Sequence, residues 1–120
     1  SMDRIELSGM EFFGRHGCFA EERQSGQTFL VDVVLHLDLQ EAGRTDDLEK
    51  SVDYAAVFAD VREVVEGAAK NLIEAVAEEV AARLLERYAL SCVEVAVHKP
   101  AAPIKGAFRD VCVRMERSRA

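Results

Sequence analysis

The feature that most constrains the fold is a run between residues 28 and 39 in which every second side chain is apolar. The apolar residues of this run are Phe29, Val31, Val33, Leu35, Leu37 and Leu39. A period of two predicts a β-strand with one buried face, because successive side chains of a strand point to opposite sides of the sheet. The other face is mixed, since Leu30 and Val34 interrupt its polar residues, and this predicts partial cover by a partner subunit.

Three weaker strand patterns and two helical patterns accompany this run. Strands are expected over residues 4–14, 28–39, 92–98 and 111–116. Helices are expected from about residue 53 to Gly67 and from about residue 72 to 88, because apolar side chains recur there at helical spacing. Asp53 and Asn71 are the expected N-caps. The polar segments 21–27 and 41–51 are expected to be a loop and a connection.

The element order, β-β-α-α-β-β, predicts the fold class. Two consecutive helices cannot supply separate crossovers between parallel strands, so we expect an α+β fold with a four-stranded antiparallel sheet and both helices on one face. The chain of 120 residues has room for one domain, expected over residues 2–118. Ser1, which precedes Met2, is expected to be the remnant of an expression tag. Long edge strands predict an oligomer.

Composition and short motifs exclude several classes of function. A formal net charge of −7 argues against a nucleic-acid partner, and no apolar stretch is long enough to make a membrane partner expected. The N-terminus does not resemble a secretory signal, and the three cysteines form no CxxC pair, so a reduced, cytoplasmic protein is expected. The three histidines lack metal-ligand spacing and no phosphate-binding loop is present, so neither a metal nor a cofactor is expected.

Individual polar residues have ordinary explanations beside functional ones. Residues 71–74, Asn-Leu-Ile-Glu, have the pattern of a capping box, which by itself favours a capping role for Glu74 over a binding role. Glu22 fits a solvated charge in a loop, Lys99 fits a surface lysine at a strand end, and Tyr54 fits a packing residue at a helix start. None of these residues alone indicates more than an α+β domain.

A series of short motifs runs through almost the whole chain. In order, they are Leu7-x-Gly9-Met10, Phe13-Gly14-Arg15-His16-Gly17, Glu22-x-x-x-Gly26-Gln27, Phe29-x-Val31-Asp32, Ala42-x-x-Thr45-Asp46-Asp47-Leu48, Val52-Asp53-Tyr54, Leu72-Ile73-Glu74, Ala77-Glu78, Lys99-Pro100 and Ala102-Pro103-Ile104. In this order and at this spacing they resemble the dihydroneopterin aldolase family, the pterin-cleaving enzymes of folate synthesis. Each motif is weak alone, and the ordered set is specific.

The resemblance implies a fold and an assembly. The family has the tunnelling fold, whose subunit is β-β-α-α-β-β, in agreement with the order that the periodicities predict. Four subunits of such a protein close their sheets into a barrel, and two rings usually stack into an octamer. The resemblance therefore implies a homo-oligomer whose pterin sites lie between neighbouring subunits.

The resemblance also implies an activity. The family cleaves 7,8-dihydroneopterin by a retro-aldol reaction to 6-hydroxymethyl-7,8-dihydropterin and glycolaldehyde, without a metal, because the pterin ring imine accepts the electrons. Lys99 matches the catalytic lysine of the family, Glu22 matches the acid that faces the trihydroxypropyl side chain, and Tyr54 matches the phenol that assists proton transfer.

The remaining matched residues are implied to bind the pterin. Glu74 matches the carboxylate that accepts two parallel hydrogen bonds from the ring, a task that suits an acceptor-only group. Leu72 and Ile73 would contribute backbone contacts, and Val52 with Asp53 would line the pterin plane from the neighbouring subunit.

Alternatives to this function differ in the reaction or in the site. Lys105 stands where many members of the family have proline, and Asp53 occupies a position that varies within the family. Both differences concern substrate preference more than the type of reaction. The alternatives are an epimerase of dihydroneopterin or of its triphosphate, a zinc-dependent relative of the same fold, and a non-catalytic pterin-binding oligomer. The resemblance is also compatible with an aldolase that has an epimerase side activity.

Overall fold

The computed structural model describes residues 3–119. Ser1 and Met2, where the expected tag remnant and the expected domain begin, lie outside the described residues. The elements are β1 (Arg4–Gly14), α1 (Ala20–Ser25), β2 (Gln27–His36), α2 (Gln40–Thr45), a 3-10 helix (Leu48–Lys50), α3 (Tyr54–Val65), α4 (Ile73–Arg87), β3 (Cys92–His98) and β4 (Cys112–Ser118). None of the helices within the described range is long and apolar enough to cross a membrane.

The four strands form one antiparallel sheet in the order β1-β2-β3-β4. Helix α3 packs against β1 and α4, and α4 packs against β3 and β4. Both long helices therefore cover the same face of the sheet. This arrangement confirms the predicted α+β fold and the order β-β-α-α-β-β of its main elements.

The core lies between that face and the two long helices. Phe29, Val31, Val33 and Leu35 of β2 are each at most 1% exposed, as their period of two predicts. They belong to one cluster with the apolar residues of the helices, Val57, Val61, Val64, Val65, Ile73, Val76, Ala77, Val80, Ala81 and Leu84. The strand is shorter than predicted, because the chain turns into α2 at Asp38, whose carboxylate accepts a hydrogen bond from the Gln40 N–H at 2.9 Å.

The start of α3 confirms a predicted cap, and the start of α4 corrects one. The Asp53 carboxylate accepts hydrogen bonds from the first turn of α3, as expected. The N-cap of α4 is Leu72, not Asn71, and its side chain makes no capping bond. The predicted capping box between Asn71 and Glu74 is therefore wrong. The helix begins one residue too late for this box, and the backbone before it is engaged in a tertiary contact, in which Lys70 O accepts a hydrogen bond from the Gly17 N–H at 2.9 Å.

Two segments predicted to be irregular contain short helices. Helix α1 lies within the predicted loop 21–27, and α2 with the 3-10 helix lies within the predicted connection 41–51. Neither α1 nor α2 exceeds six residues. Fewer than two turns are too few for a period of 3.6 residues to appear in a sequence.

Strand β1 carries a bulge between Leu7 and Met10. Gly9 adopts φ of 67° there, a conformation that glycine reaches without strain, and its N–H donates to the Asp32 carboxylate at 2.6 Å. The two outer strands of the sheet in the described chain, β1 and β4, are its edges. Exposed edges of this kind are a common place for pairing between chains.

Candidate active site

Three strand ends meet at one end of the sheet. β1 stops at Gly14, which pairs with Gln27 at the start of β2, and β3 stops at His98. Lys99 follows β3 directly, and Glu22 lies on α1 in the connection between β1 and β2. The Lys99 Nζ is 2.6 Å from the Glu22 carboxylate, so this connection folds over the end of β3.

The Glu22–Lys99 pair is largely withdrawn from solvent, with side chains 9% and 12% exposed, respectively. The Glu22 carboxylate also accepts hydrogen bonds from the Phe19 N–H at 3.3 Å and from the Gln27 amide at 3.2 Å. Burial raises the pKa of the Glu22 carboxyl, but the Lys99 ammonium and these donors outweigh burial and hold the pKa below its ordinary value. Glu22 is thus ionised at neutral pH. Its interpretation as a solvated charge and that of Lys99 as a surface lysine are both wrong.

The backbone of Gly17 lies directly against the Glu22 carboxylate. A Cβ added at Gly17 would lie 2.3 Å from the Glu22 Cδ, a distance that real atoms do not tolerate. The Gly17 carbonyl accepts a hydrogen bond from the Arg23 Nε at 3.0 Å. The absence of a side chain at this position therefore lets α1 seat Glu22 beside Lys99.

The start of α4 lies at the same end of the subunit. The Gly17 N–H donates to Lys70 O, and the Cys18 Sγ lies 3.5 Å from Asn71 O. These two contacts tie the segment before α1 to the segment before α4. They bring the three pterin-binding candidates Leu72, Ile73 and Glu74 to the end of the sheet that carries the ion pair.

Glu74 is free for a ligand in the single subunit. Its side chain is exposed, and no hydrogen bond or ion pair engages its carboxylate within residues 3–119. It occupies the first turn of α4, where the backbone N–H groups have no partner within the helix. Leu72 beside it is 49% exposed, whereas Ile73 is buried in the core and can offer a ligand only its backbone.

The structure does not bring Val52, Asp53 and Tyr54 to this site within one subunit. These residues lie at the start of α3, whose twelve residues span about 18 Å. The end of α3 that lies near the site is the opposite one, at Val65. Tyr54 is 65% exposed, which contradicts its interpretation as a packing residue. Asp53 is engaged as the helix cap, and Val52 is 6% exposed and belongs to the core.

Two residues at this end were given no functional role by the sequence patterns. The Oε1 atom of Gln27 is buried without a hydrogen-bond partner in the described part of the chain, although Nε2 of the same amide binds Glu22. His16 is completely buried beneath the site. Gln27 and His16 both lie within the family motifs, but the sequence does not show which residues they contact.

The histidines have protein partners. His36 is 2.6 Å from the Glu94 carboxylate, and His98 lies between Asp32 and Asp110, with 2.7 Å to each. Burial lowers the pKa of His98, but the two carboxylates outweigh burial and raise the pKa above its ordinary value. Over residues 3–119, no cluster of three or more His, Cys, Asp or Glu side chains is arranged to hold a metal ion.

Comparison with known proteins gives concordant results. The family model described as dihydroneopterin aldolase matches residues 5–116. The dihydroneopterin aldolase of Streptomyces coelicolor is 50% identical over 118 residues, which cover 98% of this chain and 99% of the relative.

Solved structures are similar over their full length. FolB from Vibrio cholerae superimposes with a TM-score of 0.92 at 33% identity, covering 99% of both chains. The Escherichia coli dihydroneopterin aldolase, solved in complex with neopterin, superimposes with a TM-score of 0.90 at 31% identity, covering 98% of this chain and 100% of the other. The sheet, the helices and their order are thus shared with these proteins.

Proposed function

Because the chain belongs to the dihydroneopterin aldolase family, we propose that it cleaves 7,8-dihydroneopterin at the Glu22–Lys99 pair. The chain is a lyase of folate biosynthesis. The observation that carries the assignment of the site is the 2.6 Å contact between Lys99 Nζ and Glu22, in a pair that is about nine-tenths buried. Such a pair offers one proton donor and one acceptor side by side, which is what the hydroxylated tail of the substrate requires.

Glu74 holds the pterin ring in this proposal. An ionised carboxylate only accepts hydrogen bonds and can take two parallel N–H donors, which the amino group and ring N–H of a pterin provide. Two observations support this role. The Glu74 carboxylate is not used for capping, and it projects from the turn where the helix dipole favours negative charge. The backbone of Leu72 and Ile73 borders the same turn.

The cleavage needs a base, an acid and an electron sink. Removal of the proton from the 2′-hydroxyl group lets the C1′–C2′ bond break, and its electron pair passes into the ring C=N that lies next to C1′. The C2′–C3′ fragment leaves as glycolaldehyde. Protonation of the enol-like intermediate at C1′ then gives 6-hydroxymethyl-7,8-dihydropterin. Since the ring itself takes up the electrons, the reaction does not require a metal ion or a Schiff base.

Lys99 and Glu22 divide the proton transfers. Glu22 is ionised, and its carboxylate lies 2.6 Å from the Lys99 Nζ. The substrate hydroxyl groups replace contacts within the pair by donating to Glu22 and accepting from Lys99. The amine form of Lys99 accepts the 2′-hydroxyl proton, directly or through water, and then donates that same proton to C1′ of the enol-like intermediate, so no proton is gained or lost overall.

The site is completed by a neighbouring subunit in this proposal. Val52 and Asp53 precede α3, and Tyr54 is its first residue, at the end of the helix that lies away from Lys99. The Tyr54 side chain is largely exposed. The free edges β1 and β4 offer the pairing that would close a ring of four subunits into a barrel, and two such rings would stack into an octamer. A neighbour's Tyr54 would then assist proton transfer. We also propose a cytoplasmic location, supported by three unpaired cysteines in the described chain.

Product analysis tests this function. Purified protein, freed of metal by a chelator, is incubated with 7,8-dihydroneopterin, and glycolaldehyde, hydroxymethyldihydropterin and the epimer are quantified over time. We expect glycolaldehyde and hydroxymethyldihydropterin in equal amounts. An epimer without glycolaldehyde would assign the chain as an epimerase instead, and unchanged substrate that still binds would assign a non-catalytic pterin-binding protein.

A further inference from the structure

His16 is buried and bonded at both ring nitrogens. Its side chain is 0% exposed, and the ring meets Phe29 edge-on at 5.3 Å between centroids. Nε2 lies 2.7 Å from Val65 O, and Nδ1 accepts from the Lys70 N–H at 3.1 Å. A carbonyl can only accept, so Nε2 carries the hydrogen and the ring is the neutral Nε2–H tautomer.

The surroundings of His16 favour this neutral form. Burial lowers the pKa of His16 most strongly, the hydrogen bond to Val65 opposes it, and the positive charges of Lys70 and Lys99 lower it further. The net direction is below the ordinary value. The neutral ring therefore donates one hydrogen bond, to Val65 O, and accepts one, from the Lys70 N–H.

The two partners of His16 belong to the segment that leads into α4. Val65 ends α3, and Lys70 lies just before the turn that carries Glu74. In the sequence, His16 is followed by Gly17, whose backbone lies directly against the Glu22 carboxylate. His16 thus stands between the half of the site that holds the ion pair and the half that carries Glu74, and it makes two of the hydrogen bonds that join them.

We propose that His16 is a positioning residue that fixes the distance between the Glu22–Lys99 pair and the Glu74 carboxylate. The inference rests on the proposed function, in which the pterin ring binds at Glu74 while the substrate tail reacts at the pair. A substrate clamped at one end reacts only if the other end meets the catalytic groups, and a displacement of about 1 Å can cost ~10²-fold in rate. The neutral imidazole sets that distance.

Two variants separate positioning from simple support of the fold. His16→Leu fills a similar volume but makes neither hydrogen bond. His16→Gln keeps a donor and an acceptor about as far apart as the two ring nitrogens and can satisfy both backbone groups. For each variant we would measure glycolaldehyde release from 7,8-dihydroneopterin, the calorimetric affinity for 6-hydroxymethyl-7,8-dihydropterin, which has the ring without the rest of the tail, and the thermal unfolding midpoint.

We expect His16→Leu to bind the ring-only pterin with nearly wild-type affinity while kcat falls by about 10²-fold. His16→Gln should recover most of that loss. Equal loss of ring binding and turnover, or a wild-type kcat in folded His16→Leu, would overturn the inference. If His16→Leu does not fold, His16→Asn, whose shorter amide reaches only one of the two backbone groups, replaces it with the same expectation.

Glycolaldehyde release by the wild type and by His16→Leu separates the positioning role of His16 from the proposed activity. If the wild-type protein releases glycolaldehyde and His16→Leu releases it equally fast, only the positioning role is lost. If the wild-type protein binds pterin but releases no glycolaldehyde, the proposed function fails, and the role of His16 in it fails as well.

Discussion

The Lys99 ammonium lies 2.6 Å from the Glu22 carboxylate at the end of the sheet, and neither side chain is more than 12% exposed. Glu22 is held from two further directions, by the Phe19 N–H and the Gln27 amide. Contacts within one subunit therefore preform the pair. Preformed groups do not have to be reordered during the reaction, which is the main way in which a protein site lowers an activation barrier.

Replacement of Glu74 should remove pterin binding. Without the carboxylate, the amino and ring N–H donors of the pterin lose their paired acceptor, so Glu74→Ala should lose binding measurable by isothermal calorimetry. Glu86→Ala is the matched control, because Glu86 is an exposed acid further along α4. Micromolar affinity retained by Glu74→Ala would contradict the role of Glu74 as the pterin clamp.

A single methyl group at Gly17 should disturb catalysis. In Gly17→Ala the new Cβ would overlap the Glu22 carboxylate and push it away from Lys99. We expect kcat to fall by about 10²-fold, with much less change in affinity for the ring-only pterin. Gly43→Ala provides the control, since nothing lies within 4 Å of a Cβ at that glycine. Equal kcat values for the two alanine variants would show that Glu22 is not confined by Gly17.

Mixing of subunits tests the proposed position of Tyr54. Lys99→Ala and Tyr54→Phe should each lower turnover strongly. If a working site combines Lys99 of one subunit with Tyr54 of the next, random mixing of the two variants after reversible dissociation restores about one site in four. Recovery of activity on mixing is the expected result, followed by glycolaldehyde release. A mixture no more active than the average of its parents would place both residues in one subunit.

Stability should depend on the protonation of His98. The pKa of His98 is raised above its ordinary value of 6.5, so the folded protein binds this proton more tightly than the unfolded chain does. The stabilisation is complete below pH 6.5 and is lost as the pH rises through the folded-state pKa. Urea unfolding of the wild type and His98→Gln at several pH values measures this. The difference in unfolding free energy between them should shrink above pH 6.5, and a constant difference would contradict it.

The main elements of the fold were predictable because their patterns are long. The period of two in β2 identified the buried face from Phe29 to Leu35, and the helical periods located α3 and α4 within two residues. Helices α1 and α2 were missed because six residues do not complete two turns. Helix α1 matters most, since it carries Glu22 to the site.

The site was predictable only in part. The motifs indicated Glu22, Lys99 and Glu74, but no local pattern reveals that Glu22 meets Lys99, because the contact joins residues far apart in the chain. The false capping box had a similar cause. The segment before α4 makes a tertiary hydrogen bond from the Gly17 N–H to Lys70 O, and such a contact is not visible in the local pattern around Asn71. The sequence patterns assigned no role to His16, because its hydrogen bonds to Val65 O and to the Lys70 N–H join residues about fifty positions apart.

A comparison of binding and turnover in Lys99→Ala tests the catalytic role of Lys99 directly. Calorimetry measures the affinity for the ring-only pterin, and glycolaldehyde release without added metal measures turnover of 7,8-dihydroneopterin. Lys105→Ala, which removes an exposed lysine from the following loop, is the control. We predict that Lys99→Ala keeps pterin affinity and loses ~10²-fold or more in kcat, as expected for removal of a general acid and base. Equal rates in Lys99→Ala and the wild type would contradict the account.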